Sequence, residues 1–232
     1  MSRARIAVLA SGSGSNLQAI LDYLSSLGER RGGDVVLVAS DRPDAGALAR
    51  ARAAGTGAEV LTSARYAGGH DLARLLDDRA IDLLVLAGFL QLVPADVVRA
   101  YHGRVLNVHP APLPIFGGPG MYGARVHRAV LKSDVRFSGP TVHFVDEEYD
   151  HGAIIAHWPV PVLSGDDEHA LAARVLRAEH VLFPRVVDAV AANEVLLGSQ
   201  GNVAPPFFRM QIANFDPGLD DATLGTIIDR AR

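Results

Sequence analysis

The chain contains no cysteine, and that absence removes disulfides, thiolate metal sites and cysteine nucleophiles from the chemistry open to it. It also lacks any stretch near the roughly twenty uninterrupted apolar residues that span a bilayer, although 49% of its residues are hydrophobic. Neither sign of charge dominates. With 22 basic and 26 acidic residues the net charge is −4, which gives no bulk attraction for nucleic acid or an acidic membrane. An anionic substrate therefore needs a local site. Residues Met1 to Ile6 run at once into an apolar segment that is too short for a signal peptide and has no cleavage-site pattern. They read as the lead into a buried strand, and the chain reads as a soluble, cytoplasmic protein. A length of 232 residues predicts one sizeable α/β domain with a full core.

Short β-branched runs alternate with longer amphipathic stretches over the first two thirds of the chain, the pattern of a mostly parallel sheet flanked by helices. Strands are predicted at Ile6–Ala10, Asp34–Ser40, Ala58–Thr62, Asp82–Ala87 and Arg104–Val108. Helices are predicted at Asn16–Leu27, Ala45–Ala54, Asp71–Arg79, Pro94–Tyr101 and Arg125–Leu131, each beside a polar or glycine punctuation mark. Near Ser138 the rhythm changes. Gly139–Val145 and Gly152–Val162 are extended runs with no helix between them, which predicts an antiparallel pair added to the sheet. A long helix follows, capped by Asp166 or Asp167, with Pro184 expected to kink or break it. From Gly198 the composition shifts to Gly, Pro, Asn and Asp, ending in a short helical pattern at Ala222–Ala231.

Three segments can carry chemistry. Ser11-Gly12-Ser13-Gly14-Ser15-Asn16-Leu17 joins the first strand to the first helix. Its glycines let backbone approach a ligand, and the amides at a helix start can hold a phosphate. No Lys follows as in a Walker motif, and Leu17 stands where the dinucleotide fingerprint has its third glycine. A phosphate loop and a plain capped turn both fit. At the C-terminal end of the fifth strand lies Asn107-Val108-His109-Pro110, where open α/β sheets place their ligands. Residues 107 and 109 share one strand face, so an amide donor and a titratable imidazole can together serve a carbonyl oxygen and a proton during acyl transfer. The alternative is a polar pair that orders the Pro-rich loop.

The third segment, Asp146-Glu147-Glu148-Tyr149-Asp150-His151-Gly152, is an acidic turn. It is either solvated surface or the source of a carboxylate that reaches His109 and favours its charged form. His127, His143 and His180 are each more simply structural residues than pocket residues. No spacing suggests a metal site, and the chemistry needs none.

Taken in order, Ser-Gly-Ser-Gly-Ser-Asn-Leu-Gln-Ala-Ile at 11–20, Leu-Ala-Gly-Phe at 86–89, Leu-Asn-Val-His-Pro at 106–110, Thr-Val-His-Phe-Val-Asp at 141–146 and Arg-Ala-Glu-His at 177–180 resemble the folate-dependent formyltransferase family. Within it they resemble the enzymes that formylate glycinamide ribonucleotide, over roughly residues 4–195. The resemblance implies a Rossmann-like formyltransferase fold, a mostly parallel doubly wound sheet with an antiparallel C-terminal addition. It implies a formyltransferase domain over 1–195, with 196–232 as an extension packed on it. The implied reaction moves a formyl group from the co-substrate 10-formyltetrahydrofolate to the amine of glycinamide ribonucleotide, a step of purine synthesis, without metal. The implied partners are these small molecules, with no nucleic acid or membrane, and a homodimer is admitted.

The resemblance also distributes roles. Asn107, His109 and Asp150 match the catalytic trio. Gly14, Ser15 and Asn16 match the phosphate loop, together with the helix segment Leu176–Glu179, where Glu179 faces the ribonucleotide. Leu90, Gln91, Leu92 and Val93, with Asn107, Asp146 and Asp150, border the folate. Two stretches depart from the common pattern: the longer loop Ile115-Phe116-Gly117-Gly118-Pro119-Gly120-Met121-Tyr122-Gly123, and the tail after Val195. The competing readings are a formyltetrahydrofolate deformylase, for which the phosphate loop has no use, and a nucleotide-binding module without turnover. A transferase acting on aminoacyl-tRNA would need a further basic domain, and the residues after 195 are too few and too weakly basic for one.

Overall fold

Alternation along the first strand divides the molecule into two faces. In a computed structural model, which describes residues 2–62, 70–205 and 226, β1 (Ala4–Leu9) sends Ile6, Val8 and the following Ala10 into one hydrophobic cluster. Ala7 and Leu9 enter another, as a period of two requires. The chain continues through α1 (Ser15–Leu27), β2 (Gly33–Ser40), α2 (Gly46–Ala53), β3 (Gly57–Val60), α3 (His70–Asp78), β4 (Leu83–Leu86), α4 (Ala95–Ala100) and β5 (Val105–His109). These bounds differ from the predicted ones by a residue or two, the usual uncertainty of frayed ends.

The sheet runs β3-β2-β1-β4-β5-β7-β8, where β7 is Thr141–Phe144 and β8 is Ile154–His157. The first five strands are parallel. β7 and β8 add to β5 as antiparallel neighbours, the addition the sequence predicts. The second extended run is broken, however, and a break at Gly139 sets the first off from a short strand before it. β6 (Phe137–Ser138) and β9 (Val160–Pro161) form a separate antiparallel pair. At the first break Gly139 has φ +119°, and a Cβ there would lie 1.9 Å from Trp158 O. This crossing of backbones is open only to glycine.

α1, α5 (Ala124–Lys132) and α6 (Glu168–Ala191) cover one sheet face through residues such as Leu17, Ile20, Val126, Val130, Val175 and Phe183. α3 and α4 cover the other through Leu72, Leu76, Val97 and Val98. Each such side chain, fully buried, contributes about 1.5–3 kcal/mol. Asp167 caps α6, accepting from the amides of His169 at 3.0 Å and Ala170 at 2.8 Å. Asp166 instead binds Arg174 through two hydrogen bonds of 2.7 and 2.9 Å.

The predicted break at Pro184 does not occur, because α6 runs through it to Ala191. The missing N–H and the ring clash cost about 3 kcal/mol. Burial of Val181, Leu182, Phe183, Val186 and Val187 around the proline offsets that cost. Beyond α6, β10 (Leu196–Leu197) and β11 (Val203–Ala204) form a small hairpin. The expected helical pattern at Ala222–Ala231 lies, apart from residue 226, outside the described residues.

Candidate active site

Winding reverses between β1 and β4, and open α/β sheets bind ligands outside the carboxyl ends of the strands at such a point. The loops leaving these two strands are stitched together: Ser11 N–H donates to Gly88 O at 3.1 Å, and Leu90 N–H to Ser11 Oγ at 3.0 Å. A cleft of about 210 Å³ opens beside them.

One end of the cleft is the start of α1. Gly14 is the N-cap at φ +75°, and a Cβ there would sit 2.6 Å from Ala47 Cα, so only glycine makes this turn. No side chain caps the helix, which leaves its first amides available to an anion. Asn16, 8% exposed, lines the cleft. Its Nδ2 donates to Glu179 Oε2 at 2.7 Å, while its Oδ1 is buried with no hydrogen-bond partner. Burial pushes the Glu179 carboxyl up to about 7, partly offset by the Asn16 hydrogen bond and the charge of His109.

The middle of the cleft is the end of β5. Asn107 and His109 lie on one strand face, and the register sets Asn107 opposite His143 and His109 opposite Thr141. His109 Nε2–H donates to Phe116 O at 2.8 Å, which fixes the ring and leaves Nδ1 3.4 Å from Asp150 Oδ2. His143 Nδ1–H donates to Phe144 O at 2.8 Å, so its Nε2 accepts from Asn107 Nδ2 at 3.1 Å. The same Nδ2 lies 3.3 Å from Asp150 Oδ1, a longer and weaker contact. Gly118 N–H donates to Asp150 Oδ2 at 3.0 Å. Burial alone would raise the Asp150 carboxyl. The contact with His109, the charge of His109 and the Gly118 amide outweigh it and hold the carboxyl well below the usual carboxylate range.

The remaining walls are the segment Leu90, Gln91, Leu92 and Val93 on one side, and Met121, Tyr122 and Tyr149 on the other. Leu90, Leu92, Tyr122 and Tyr149 all keep substantial exposure, a mouth suited to a flat, partly apolar ligand.

The structure thus brings Asn107, His109, Asp150, Asn16, Glu179 and residues 90–93 to one cleft. Gly14 and Ser15 stand behind its edge and offer backbone, while Leu176 is exposed and outside it. Asp146 does not line it. Asp146 Oδ1 accepts from Glu148 N–H at 2.9 Å and Oδ2 pairs with His151 Nδ1 at 2.8 Å, so Asp146 shapes the turn, and Glu148 and Tyr149 face the cleft in its place. Of the acidic turn, Asp150 is the residue that reaches His109.

His143, read from sequence as more simply structural, belongs to the cluster. His127 is buried with Nδ1 unpartnered, and its pKa is lowered to about 4 by burial and then by the charge of His109. The parts that sequence reasoning missed are His143 and the backbone of Phe116 and Gly118. Only the cross-strand register could have pointed to the first. Among the described residues no three His, Asp or Glu side chains converge to hold a metal ion, and no helix is long and apolar enough to cross a membrane.

Residues 4–187 match the formyl transferase family model. The chain is 41% identical over 198 residues to the chloroplastic phosphoribosylglycinamide formyltransferase of Arabidopsis thaliana, covering 83% of this chain and 67% of that one. It is 40% identical over 186 residues to phosphoribosylglycinamide formyltransferase of Escherichia coli K12, covering 78% and 84%. The crystal structure of glycinamide ribonucleotide transformylase 1 from Symbiobacterium toebii superposes with a TM-score of 0.78 at 40% identity, covering 87% of this chain and 93% of that one.

Proposed function

The chain belongs to the formyl transferase family, and from that premise we propose that it transfers the formyl group of 10-formyltetrahydrofolate to the amine of glycinamide ribonucleotide, yielding formylglycinamide ribonucleotide and tetrahydrofolate in purine synthesis. The observation that carries this reading is one cleft in which the uncapped start of α1 lies at one end and the Asn107, His109 and Asp150 cluster in the middle. A phosphorylated acceptor spans that distance, with its phosphate at Gly14, Ser15 and Asn16 and its ribose towards Glu179. The formyl-folate enters along Leu90 to Val93 and past Tyr149, with Asn107, Asp150 and the Asp146 turn bordering it.

The neutral amine attacks the formyl carbon. A new C–N bond forms while the carbonyl oxygen takes up negative charge. Two donors meet that oxygen: the Asn107 Nδ2–H that makes only the 3.3 Å contact to Asp150, and the Nδ1–H of protonated His109. His143 holds the other Asn107 N–H, so the amide is oriented before substrate arrives, the condition for electrostatic catalysis without reorganisation. Asp150, anionic, sustains the imidazolium and takes part in moving the proton from the attacking amine to the departing folate nitrogen. The carbon to folate-nitrogen bond then breaks, and no covalent enzyme intermediate forms.

A phosphate loop at the cleft favours this acceptor over water. We extend the proposal to a reaction in the cytoplasm, and association of two copies is tested by light scattering. Mass spectrometry of the products tests the reaction itself. Formylated ribonucleotide with no excess formate is expected; free formate as the main product would make the protein a hydrolase.

A further inference from the structure

The loop that receives the phosphate is held from behind by α2. Ala47 N–H donates to Gly12 O at 3.2 Å. A Cβ on Gly46 would lie 2.8 Å from Ser13 O, so helix and loop pack backbone to backbone. One turn further on, Arg50 Nε–H donates to Ser13 O at 2.9 Å and Nη1–H to Gln18 Oε1 at 3.1 Å. Its Nη2 amino group meets no protein acceptor among the described residues. Two carbonyls of this turn, Gly12 O and Ser13 O, are therefore engaged by α2. The ligand side of the loop keeps the uncapped α1 amides as donors, and Asn16 beside them lines the cleft with its Oδ1 buried and unpartnered.

We propose that Arg50 is the positioning residue of the phosphate loop: it turns the Ser13 carbonyl away from the phosphate, braces α1 through Gln18, and sets the affinity for a phosphorylated acceptor. A guanidinium does this better than an ammonium because its planar fork holds two acceptors at fixed angles. Its positive charge behind the loop would also favour a dianion in front of it, and charge-assisted hydrogen bonds are the stronger kind. Arg50 is not a catalytic residue, since it stands behind the loop and away from Asn107, His109 and Asp150. Its effect belongs in ground-state and transition-state binding alike.

This inference rests on the proposed formyl transfer to a ribonucleotide. Arg50→Met keeps the aliphatic stem and removes the fork. We expect its KM for glycinamide ribonucleotide to rise on the order of tenfold or more, with kcat and the KM for formyl-folate within about twofold. Inorganic phosphate, used as a competitive inhibitor against the ribonucleotide, should weaken in parallel. Arg50→Lys should recover part of the loss by restoring charge without the fork. Melting temperatures of both variants are measured alongside. If wild type forms no formylated ribonucleotide, the functional reading fails before Arg50 is tested. If wild type turns over and Arg50→Met, or Arg50→Lys where the Met variant does not fold, keeps the wild-type KM and phosphate inhibition, the proposal is wrong. A fall in kcat with both KM values unchanged overturns it equally, because the residue would then serve chemistry or general stability.

Discussion

His109 is caught between a carbonyl and a carboxylate, and each contact has a consequence. Phe116 O claims Nε2, so the nitrogen left for the proposed chemistry is Nδ1, on the side of Asp150. His109→Ala is expected to lower kcat by a hundredfold or more, the cost of a lost oxyanion donor. Its ribonucleotide affinity by calorimetry should stay within about threefold, because the residue is remote from the phosphate loop. A variant with near wild-type turnover would remove His109 from the mechanism.

Glu179 gives a second test at this scale. Its carboxyl is raised from 4.5 to about 7 by burial, so between those values the native protein holds a proton that the unfolded chain has released. The stability this confers is full below about pH 4.5 and is lost as pH rises through about 7. Glu179→Gln, neutral throughout, should lose that slope, with denaturant midpoints that exceed wild type at about pH 8 but not at about pH 5. Parallel curves for the two proteins would show that Glu179 is not buried in this way.

The strand spacing of Asn107 and His109 was legible in the sequence because a period of two fixes which residues share a face. Asp150 was not separable from Asp146, Glu147 and Glu148, since four carboxylates within five residues differ only in how the turn aims them. The structure separates them: Asp146 is spent on His151 and Glu148 N–H, and Glu147 on Arg99 at 2.7 Å.

At the scale of elements, the loop 115–123 completes the proposed catalytic cluster. It supplies Phe116 O to His109 and Gly118 N–H to Asp150, and it can do so because Gly117 lets the chain pass close. A Cβ on Gly117 would lie 2.5 Å from Leu113 Cδ2 and 2.9 Å from Asp150 Cβ. Gly117→Ala should therefore displace Asp150 and lower kcat/KM on the order of a hundredfold, the effect of a misplacement near 1 Å. The phosphate affinity should be kept. An alanine variant of wild-type efficiency would show that the loop yields without moving the carboxylate. This contribution could not be read from residue types, because the loop acts through backbone atoms. The position of His143 was hidden for a related reason: it depends on which residue of β7 falls opposite Asn107. Pro184 shows the converse, since the helix continues through it in packing that only the tertiary fold provides.

The whole molecule places these parts by its winding. Parallel strands deliver the loops after β1, β4 and β5 to one edge, the reversal between β1 and β4 opens the space beside them, and Asp150 arrives separately on the connection between antiparallel β7 and β8. That architecture was legible because alternating strand and helix patterns leave few arrangements, and the added antiparallel strands followed from two extended runs without a helix between them. The separate pair of β6 and β9 was not, since it turns on Gly139 meeting the backbone of Trp158.

The central claim, that one cleft joins a formyl donor to a phosphorylated amine, is tested most directly by following folate product in absorbance with 10-formyltetrahydrofolate alone and again with glycinamide ribonucleotide. Product that appears only when the ribonucleotide is present is the predicted result. Product formed equally without it, or none in either case, would contradict the account.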